Sequence, residues 1–409
     1  MSSPIAEPDS ALRIAAAMRA TSRPPVMEAR RWLDSHAPPE GLTLINVSQA
    51  APATPPPEPL REAMAEALLT RPEAHLYGPV LGLPPLRDAV SDRWERVYGA
   101  APGVDRVAIT SGCNQAFCAA LAALAGPGDD VILQLPWYFN HAMWLDMQGV
   151  AARSLPTGDD LLPDPEMAAR IIGPRTRALV LVTPNNPGGV AYPPALIRRF
   201  YELCQRWGLA LILDETYRDF HGTDGAPHDL FQDPDWPGTL VQLYSFSKAY
   251  RLTGHRTGTL VAGEPLLREV EKFLDTVAIC PAQPGQIGAL WGLENLEDWL
   301  EGERQDILAR GRRMTETVAT LSGWQLLGCG AYFAYVRHPF AMPSDELAPE
   351  LVRTAGVLLL PGTMFRPVGD PAGARELRIA FANIDGAGIS ALGARLAGLT
   401  LPRSGEATR

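Results

Sequence analysis

Between residues 130 and 360, short, mainly apolar runs alternate with stretches whose apolar residues recur at helical spacing. The runs lie at 131–135, 178–182, 209–213, 239–244 and 258–262. A strand that is apolar on both faces must be covered on both sides, and a mostly parallel sheet between two layers of helices provides that cover. The expected class is therefore α/β, with a large parallel sheet flanked by helices. In such sheets ligands bind beyond the carboxyl ends of the strands. The unusual residues of this chain sit there: Pro136-Trp137-Tyr138, Thr-Pro-Asn-Asn-Pro-Gly at 183–188, Asp-Glu-Thr-Tyr at 214–217, and the polar loop 245–258.

The remaining segments read as additions to this sheet. Residues 1–25, rich in Ala, Ser and Pro with an amphipathic piece at 11–19, form an arm continued by 32–37. A short strand at 42–47 precedes an extended proline loop, and a helix starts at Pro57. The Gly- and Pro-rich loop at 75–87, which carries Tyr77, runs into a helix ending near Tyr98. A strand at 107–110 turns at Thr-Ser-Gly-Cys-Asn-Gln directly into an Ala-rich helix, which aims backbone N–H groups and a positive dipole end at one point. After residue 285 come helices at 286–296 and 303–322, strands at 324–327, 331–336 and 377–381, and a polar tail from Arg403. These make a smaller α+β unit. A chain of 409 residues accommodates both; the expected division is 1–60 for the arm and part of the small domain, 61–290 for the large domain, and 291–409 for the rest of the small one.

Only two lysines occur, Lys248 and Lys272, in a chain that otherwise uses arginine. A guanidinium cannot lose its proton and condense with a carbonyl, so Schiff-base chemistry has two candidates. Lys272 lies in a charged amphipathic helical pattern and reads as a solvated surface residue. Lys248 follows an apolar run and stands between Ser245, Ser247 and Arg256, whose hydroxyls and guanidinium fork suit a phosphate. An amine beside an anion cradle points to pyridoxal 5'-phosphate; a loop lysine flanked by turn serines is the bland alternative.

The loops at 183–189, 214–217 and 245–258, with Arg378 in Leu-Arg-Ile-Ala-Phe-Ala-Asn, together resemble the class I/II aminotransferases, pyridoxal-phosphate enzymes of fold type I, over residues 42–399. The resemblance implies a seven-stranded-type sheet and a set of roles. Lys248 would form the Schiff base and move the substrate's α-proton. Asp214 would keep the pyridine nitrogen protonated, and Tyr217 and Asn186 would bond the ring's 3-oxygen. Tyr138 would stack on the ring, with Trp137 as competitor. The backbone of Gly112 and Cys113, with Ser245, Ser247 and Arg256, would hold the phosphate. Tyr77 would reach the phosphate of a second subunit, which implies a homodimer. Arg378 would bind the substrate α-carboxylate, with Asn186 and Ala50 nearby. Ala50 stands where relatives commonly have glycine, and Cys113 replaces a small or hydroxyl residue. Taken singly, Asp214 could equally be a helix cap, Tyr138 core filler and Arg378 a surface strand residue.

The resemblance implies transfer of an amino group from an L-amino acid to a 2-oxo acid. The same motifs serve β-elimination, decarboxylation or oxidation, because the pocket decides the fate of the carbanion. A pyridoxal-phosphate-binding regulator would need a DNA-binding domain, and the roughly 40 residues before Leu42 carry neither a helix-turn-helix pattern nor a basic cluster. The net charge of -10 argues against nucleic-acid and anionic-membrane partners. Arg30-Arg31 and the arginines at 310–313 read as solvated helix faces. Five cysteines without a C-x-x-C pair indicate neither a zinc site nor a disulfide framework. Without a signal pattern or a membrane-length apolar run, the expected location is cytoplasmic. Trp137, Tyr138, Phe139, Tyr332 and Phe333 suggest an aromatic pocket or simply core. Asn140 and His141 suit a polar substrate group or a helix start equally, and no arginine is assignable to a second, distal carboxylate.

Overall fold

The structure, a computed structural model, describes residues 12–52 and 54–404. The beginning of the expected arm and the end of the expected tail lie outside these residues. The arm consists of two helices, Ala16–Ala20 and Pro25–Ser35. Of the strand expected at 42–47 only β1 (Ile45–Asn46) forms.

The alternation builds a seven-stranded sheet from β2 (Val107–Thr110), β3 (Asp130–Gln134), β4 (Ala151–Leu155), β5 (Thr176–Val182), β6 (Ala210–Asp214), β7 (Leu240–Ser245) and β8 (Gly258–Val261), in the order β2-β8-β7-β6-β5-β3-β4. Neighbours from β7 to β4 are parallel, and β8 is antiparallel to both β7 and β2. Successive residues feed opposite faces. Leu179, Leu181, Leu211 and Leu213 join one apolar cluster, with Trp94 and Phe200 from the helices Pro84–Tyr98 and Pro194–Trp207. Ala178, Val180, Ile212 and Leu243 join the other, with Phe117 and Val270 from Cys113–Leu124 and Glu264–Ala278. Burial on both faces is why apolar residues are not confined to alternate positions of these runs.

Two features of this sheet differ from the pattern reading. The edge strand β4 is half-exposed, and its Arg153 reaches the Asp130 carboxylate at 2.9 Å, so it shows no apolar run. Strand β8 runs against its neighbour because β7 and β8 are joined by a loop around the four-residue helix Phe246–Ala249 rather than by a crossover helix. That loop therefore stays at the carboxyl end of the sheet.

The second sheet is antiparallel, ordered β12-β13-β10-β9, from β9 (Gln325–Gly330) and β10 (Phe333–Arg337), then, after β11 (Val357–Leu358), β12 (Leu360–Pro361) and β13 (Glu376–Ile379). Helix Glu297–Ala319, longer than expected, buries Ile307, Met314 and Val318 beside it. Two helices escaped the pattern. Ser344–Ala355 contains Pro349, and Gly386–Ala397 opens on glycines but is started by the Asp385 carboxylate accepting from Gly388 N–H at 2.8 Å. Strand β1 pairs in parallel with β11, and Ala380 N–H donates to the Val47 carbonyl at 2.9 Å. These bonds lay residues 48–51 along the gap between the two sheets. Among the described residues no helix is long and apolar enough to cross a membrane.

Candidate active site

Where β5, β6 and β7 end, the loops after them, the start of helix Cys113–Leu124, the arm helix Pro25–Ser35 and residues 49–51 enclose a cavity of about 500 Å³. Asp214 is the last residue of β6, so the backbone aims it out of the sheet into this space. Its Oδ1 accepts from Thr216 N–H at 3.0 Å and from the Cys113 thiol at 3.5 Å, and its Oδ2 lies 3.4 Å from His141 Nε2. Burial alone would raise its pKa, but His141 and Thr216 outweigh burial and hold it below the ordinary carboxylate value. His141 is fixed in turn by stacking on Phe117, with centroids 3.8 Å apart.

Lys248 projects from the short helix after β7, and its Nζ donates to the Ala50 carbonyl at 2.5 Å. Burial, then the positive Arg256 and Arg378, lower its pKa from 10.5 to about 7. Near neutrality this amine can therefore be found without its proton, which an exposed lysine cannot. The rings of Tyr217 and Tyr332 each lie 5.8 Å from Nζ.

Arg378, on β13, enters from the small sheet and is buried between Phe333 and Phe365, 5.0 and 4.9 Å from their centroids. It donates to Asn186 Oδ1 at 2.9 Å and to the Ser48 carbonyl, while its Nε has no partner among the described residues. Burial without a carboxylate lowers its pKa to about 10. A cation held this way is prepared to receive an anion.

The same cavity is lined by a polar cradle of Ser245, Ser247, Arg256 and the start of helix Cys113–Leu124. Gly112 precedes the helix at φ 83°, and a Cβ there would stand 2.3 Å from Arg256 Nη2, so only glycine lets the guanidinium close over the helix start. Arg256 donates to Ser247 Oγ at 3.2 Å, and Ser245 Oγ accepts from Ser247 N–H at 3.2 Å. The N–H groups of Cys113 and Asn114, at the start of the twelve-residue helix, precede the first intrahelical bonds, which Gln115 and Ala116 make to the Gly112 carbonyl, and the helix adds its dipole. Cys113 is raised well above the usual thiol value, by burial and then by Asp214, so its side chain is a neutral thiol.

The structure thus brings Lys248, Asp214, Tyr217, Tyr138, Asn186, Cys113, Ser245, Ser247, Arg256, Arg378 and Ala50 to one cavity, with Gly112 directly behind Arg256. Tyr138 lines it and donates to Asn114 Oδ1 at 3.4 Å, whereas Trp137 packs into the apolar layer behind the sheet. Tyr77 is elsewhere. It is 81% exposed and borders a second, mainly apolar hollow. Two contributors were missed from the sequence. The contact of His141 with Asp214 depends on two helices packing through Phe117, and no local pattern signals it. Helix Pro25–Ser35, read only as part of an arm, forms the cavity's outer wall, and Arg30, expected on a solvated face, is exposed yet lines that wall.

Comparison with known proteins identifies the family. The family described as aminotransferase class I and II matches residues 43–396. An aromatic aminotransferase of Arabidopsis thaliana is 30% identical over 352 residues, covering 83% of this chain and 86% of that one. A valine–pyruvate aminotransferase of Mycobacterium tuberculosis is 31% identical over 362 residues, covering 84% and 88%. In fold, an Escherichia coli protein identified with a methionine aminotransferase function superimposes with a TM-score of 0.86 at 23% identity, over 95% of this chain and 100% of the other. The chain belongs to the class I and II aminotransferase family and is an enzyme.

Proposed function

We propose that this enzyme binds pyridoxal 5'-phosphate in the cavity between its sheets and uses it to move an amino group from an L-amino acid to a 2-oxo acid. The observation that carries this reading is an amine with its pKa lowered to about 7 and a carboxylate held ionised, both opening on one cavity. The donor set fits the group: the glycine-backed guanidinium and helix start suit a dianionic phosphate, and the orphaned Nε of Arg378 suits a carboxylate. When bound, pyridoxal phosphate supplies an electron sink for the pair left on the substrate α-carbon after proton loss.

The residues divide that task by position. Lys248 would hold the cofactor through its amine, and its neutral Nζ would take and return the substrate's α-proton. Asp214, kept anionic by His141 and Thr216, would favour a protonated ring nitrogen. Tyr217 and Asn186 would donate to the ring's 3-oxygen, and Tyr138 would pack on the ring. Gly112 and Cys113 backbone, Ser245, Ser247 and Arg256 would hold the phosphate. Arg378 exchanges the Ser48 carbonyl for the substrate α-carboxylate as a bidentate pair, with Ala50 and Asn186 flanking it. On this reading residues 61–290 hold the cofactor, while 1–60 and 291–409 bring the carboxylate-binding arginine to it.

The assembly proposed is a homodimer in which Tyr77 completes the phosphate site of the partner. Its support is the exposed apolar hollow of about 550 Å³ bordered by Leu76, Tyr77, Leu83, Ile287, Leu290 and Trp291. The five free thiols agree with a reducing, cytoplasmic setting. A panel of amino donors with 2-oxoglutarate or pyruvate, with ammonia and hydrogen peroxide followed in parallel, tests the reaction. Formation of a new amino acid and 2-oxo acid in equal amounts is expected. Ammonia or peroxide without an amino-acid product would assign the site to elimination or oxidation, and carbon dioxide release to decarboxylation.

A further inference from the structure

Asp214, Thr216 and Tyr217 line the cavity, whereas Glu215 and Arg218, which flank Thr216 and Tyr217, do not. Both are almost completely buried, against Tyr98 and Trp94 of helix Pro84–Tyr98. Buried charges persist only where partners satisfy them, and here the two side chains converge on one atom. The Tyr98 hydroxyl donates to Glu215 Oε2 at 2.6 Å and accepts from Arg218 Nη1 at 3.2 Å. Burial holds the pKa of this phenol well above its ordinary value, so it keeps the proton that it donates.

The rest of the cluster orients those two bonds. Gln242 Nε2 donates to Glu215 Oε2 at 2.7 Å and to the Tyr98 hydroxyl at 3.1 Å, and is itself fixed by Trp94 Nε1, which donates to its Oε1 at 2.8 Å. His228 Nδ1 accepts from Leu230 N–H at 3.2 Å, so the proton lies on its Nε2, 3.3 Å from the same carboxylate oxygen. Glu215 Oε1 has no partner among the described residues, so the contacts of Oε2 alone fix the side chain. The Arg218 guanidinium packs on Trp94 and Tyr244, 4.2 and 4.4 Å from their ring centroids, and reaches Asp219 Oδ1 at 3.3 Å.

Tyr217 has no such anchor of its own. Its hydroxyl makes no hydrogen bond among the described residues, and its ring meets Tyr332 and Phe333 at 5.4 and 5.1 Å. The backbone on either side therefore sets its place. The Glu215 carbonyl accepts from Arg218 N–H at 3.0 Å, which closes a turn around Thr216 and Tyr217. Both side chains that bracket this turn end at the Tyr98 hydroxyl.

We propose that Tyr98 is a positioning residue for the reaction: by tying Glu215 to Arg218, its hydroxyl fixes the turn that aims the Tyr217 phenol into the cavity. The inference rests on the aminotransferase reading, in which Tyr217 donates to the cofactor's 3-oxygen. A donor there stabilises negative charge on that oxygen and favours loss of the proton it shares with the nitrogen of the lysine link. A misaimed phenol therefore leaves the lysine-bound cofactor protonated to higher pH.

Tyr98→Phe removes one oxygen and keeps the ring, with its stack on His228 at 4.4 Å. The test is a spectrophotometric pH titration of the pyridoxal-phosphate-loaded wild type, Tyr98→Phe, Tyr217→Phe and the double variant. Tyr98→Phe is expected to raise the midpoint by about half a unit or more, but by less than about 0.3 unit in the Tyr217→Phe background. No shift, or an equal shift in both backgrounds, overturns the role of Tyr98, because a general loosening of the fold would not depend on the Tyr217 hydroxyl. Should Tyr98→Phe fail to fold, Arg218→Lys, which keeps the charge but loses the fork that reaches Tyr98, takes its place with the same expectation. Crystal structures of the cofactor-free wild type and variant provide a second readout, with the Tyr217 hydroxyl expected to move by about 0.5 Å or more; an unmoved hydroxyl also overturns the proposal. A wild type that forms no lysine-bound absorbance would instead remove the aminotransferase reading, and the cofactor-free structures would still test Tyr98.

Discussion

Lys248 is recognisable in the sequence because the chain contains only two lysines, yet what lowers its pKa is tertiary. Burial and two arginines distant in sequence lower its pKa to about 7. An unfolded lysine keeps its proton to about 10.5, so below pH 7 the folded, cofactor-free protein must bury a charge that the unfolded chain leaves in water. That penalty fades as pH rises from about 7 towards 10.5. Lys248→Met should therefore raise the melting temperature of the cofactor-free protein most at pH 6 and little at pH 10; a gain that grows with pH would contradict the assigned cause. With cofactor, Lys248→Ala should yield no covalent adduct on borohydride reduction and no turnover, and retained activity would exclude the amine as base. Asp214→Ala should still bind the cofactor but slow turnover by about a hundredfold or more, the scale of a lost preorganised charge. A single-turnover rate within tenfold of wild type would argue against its role. His141 was legible only as a polar residue near a helix start, because its role depends on a stack with Phe117 that sequence spacing does not encode.

At the level of elements, the mainly apolar runs identified five strands of the large sheet because both faces of each are buried. The edge strand β4, half-exposed and punctuated by Arg153, carries no such signature, and the direction of β8 follows from the absent crossover helix rather than from its own residues. The turn from β2 into helix Cys113–Leu124 was legible as a strand, a glycine and a helix start in succession, since the three are contiguous. Its other half, Arg256, arrives from the loop between β7 and β8, and the closeness of the two explains why glycine occupies position 112. Gly112→Ala would force a Cβ to within 2.3 Å of the guanidinium at a positive φ. The backbone strain alone costs about 1–3 kcal/mol, because φ 83° with ψ 167° is a region open essentially to glycine only, and displacement of Arg256 adds loss of the proposed phosphate contact. Spectrophotometric titration should show cofactor affinity reduced by about tenfold or more, with a smaller effect on folding; unchanged affinity would place the phosphate elsewhere.

At the scale of the molecule, one chain does not bring together every residue that the family resemblance assigns to the site. Tyr77 is 81% exposed beside Leu76, itself 64% exposed, on a hollow floored by Ile287, Leu290 and Trp291. Large apolar side chains cost solvation free energy when left in water, and a second copy of the chain would remove that cost while carrying Tyr77 to a neighbouring cavity. The arrangement makes a prediction that no single-subunit site shares. On the proposed assembly, subunits bearing Lys248→Ala would lack the amine but keep Tyr77, and subunits bearing Tyr77→Ala would keep the amine but deprive their partner's cofactor of a phosphate ligand. In a hybrid dimer one site combines both defects, while the other receives an intact Lys248 from one chain and an intact Tyr77 from the other. Random reassociation of equal amounts should restore about a quarter of the sites to full strength. At limiting cofactor the mixture should therefore exceed the summed activity of the two variants measured apart. Simple additivity after verified subunit exchange would mean that Tyr77 serves its own chain or none, and that the apolar hollow has another occupant.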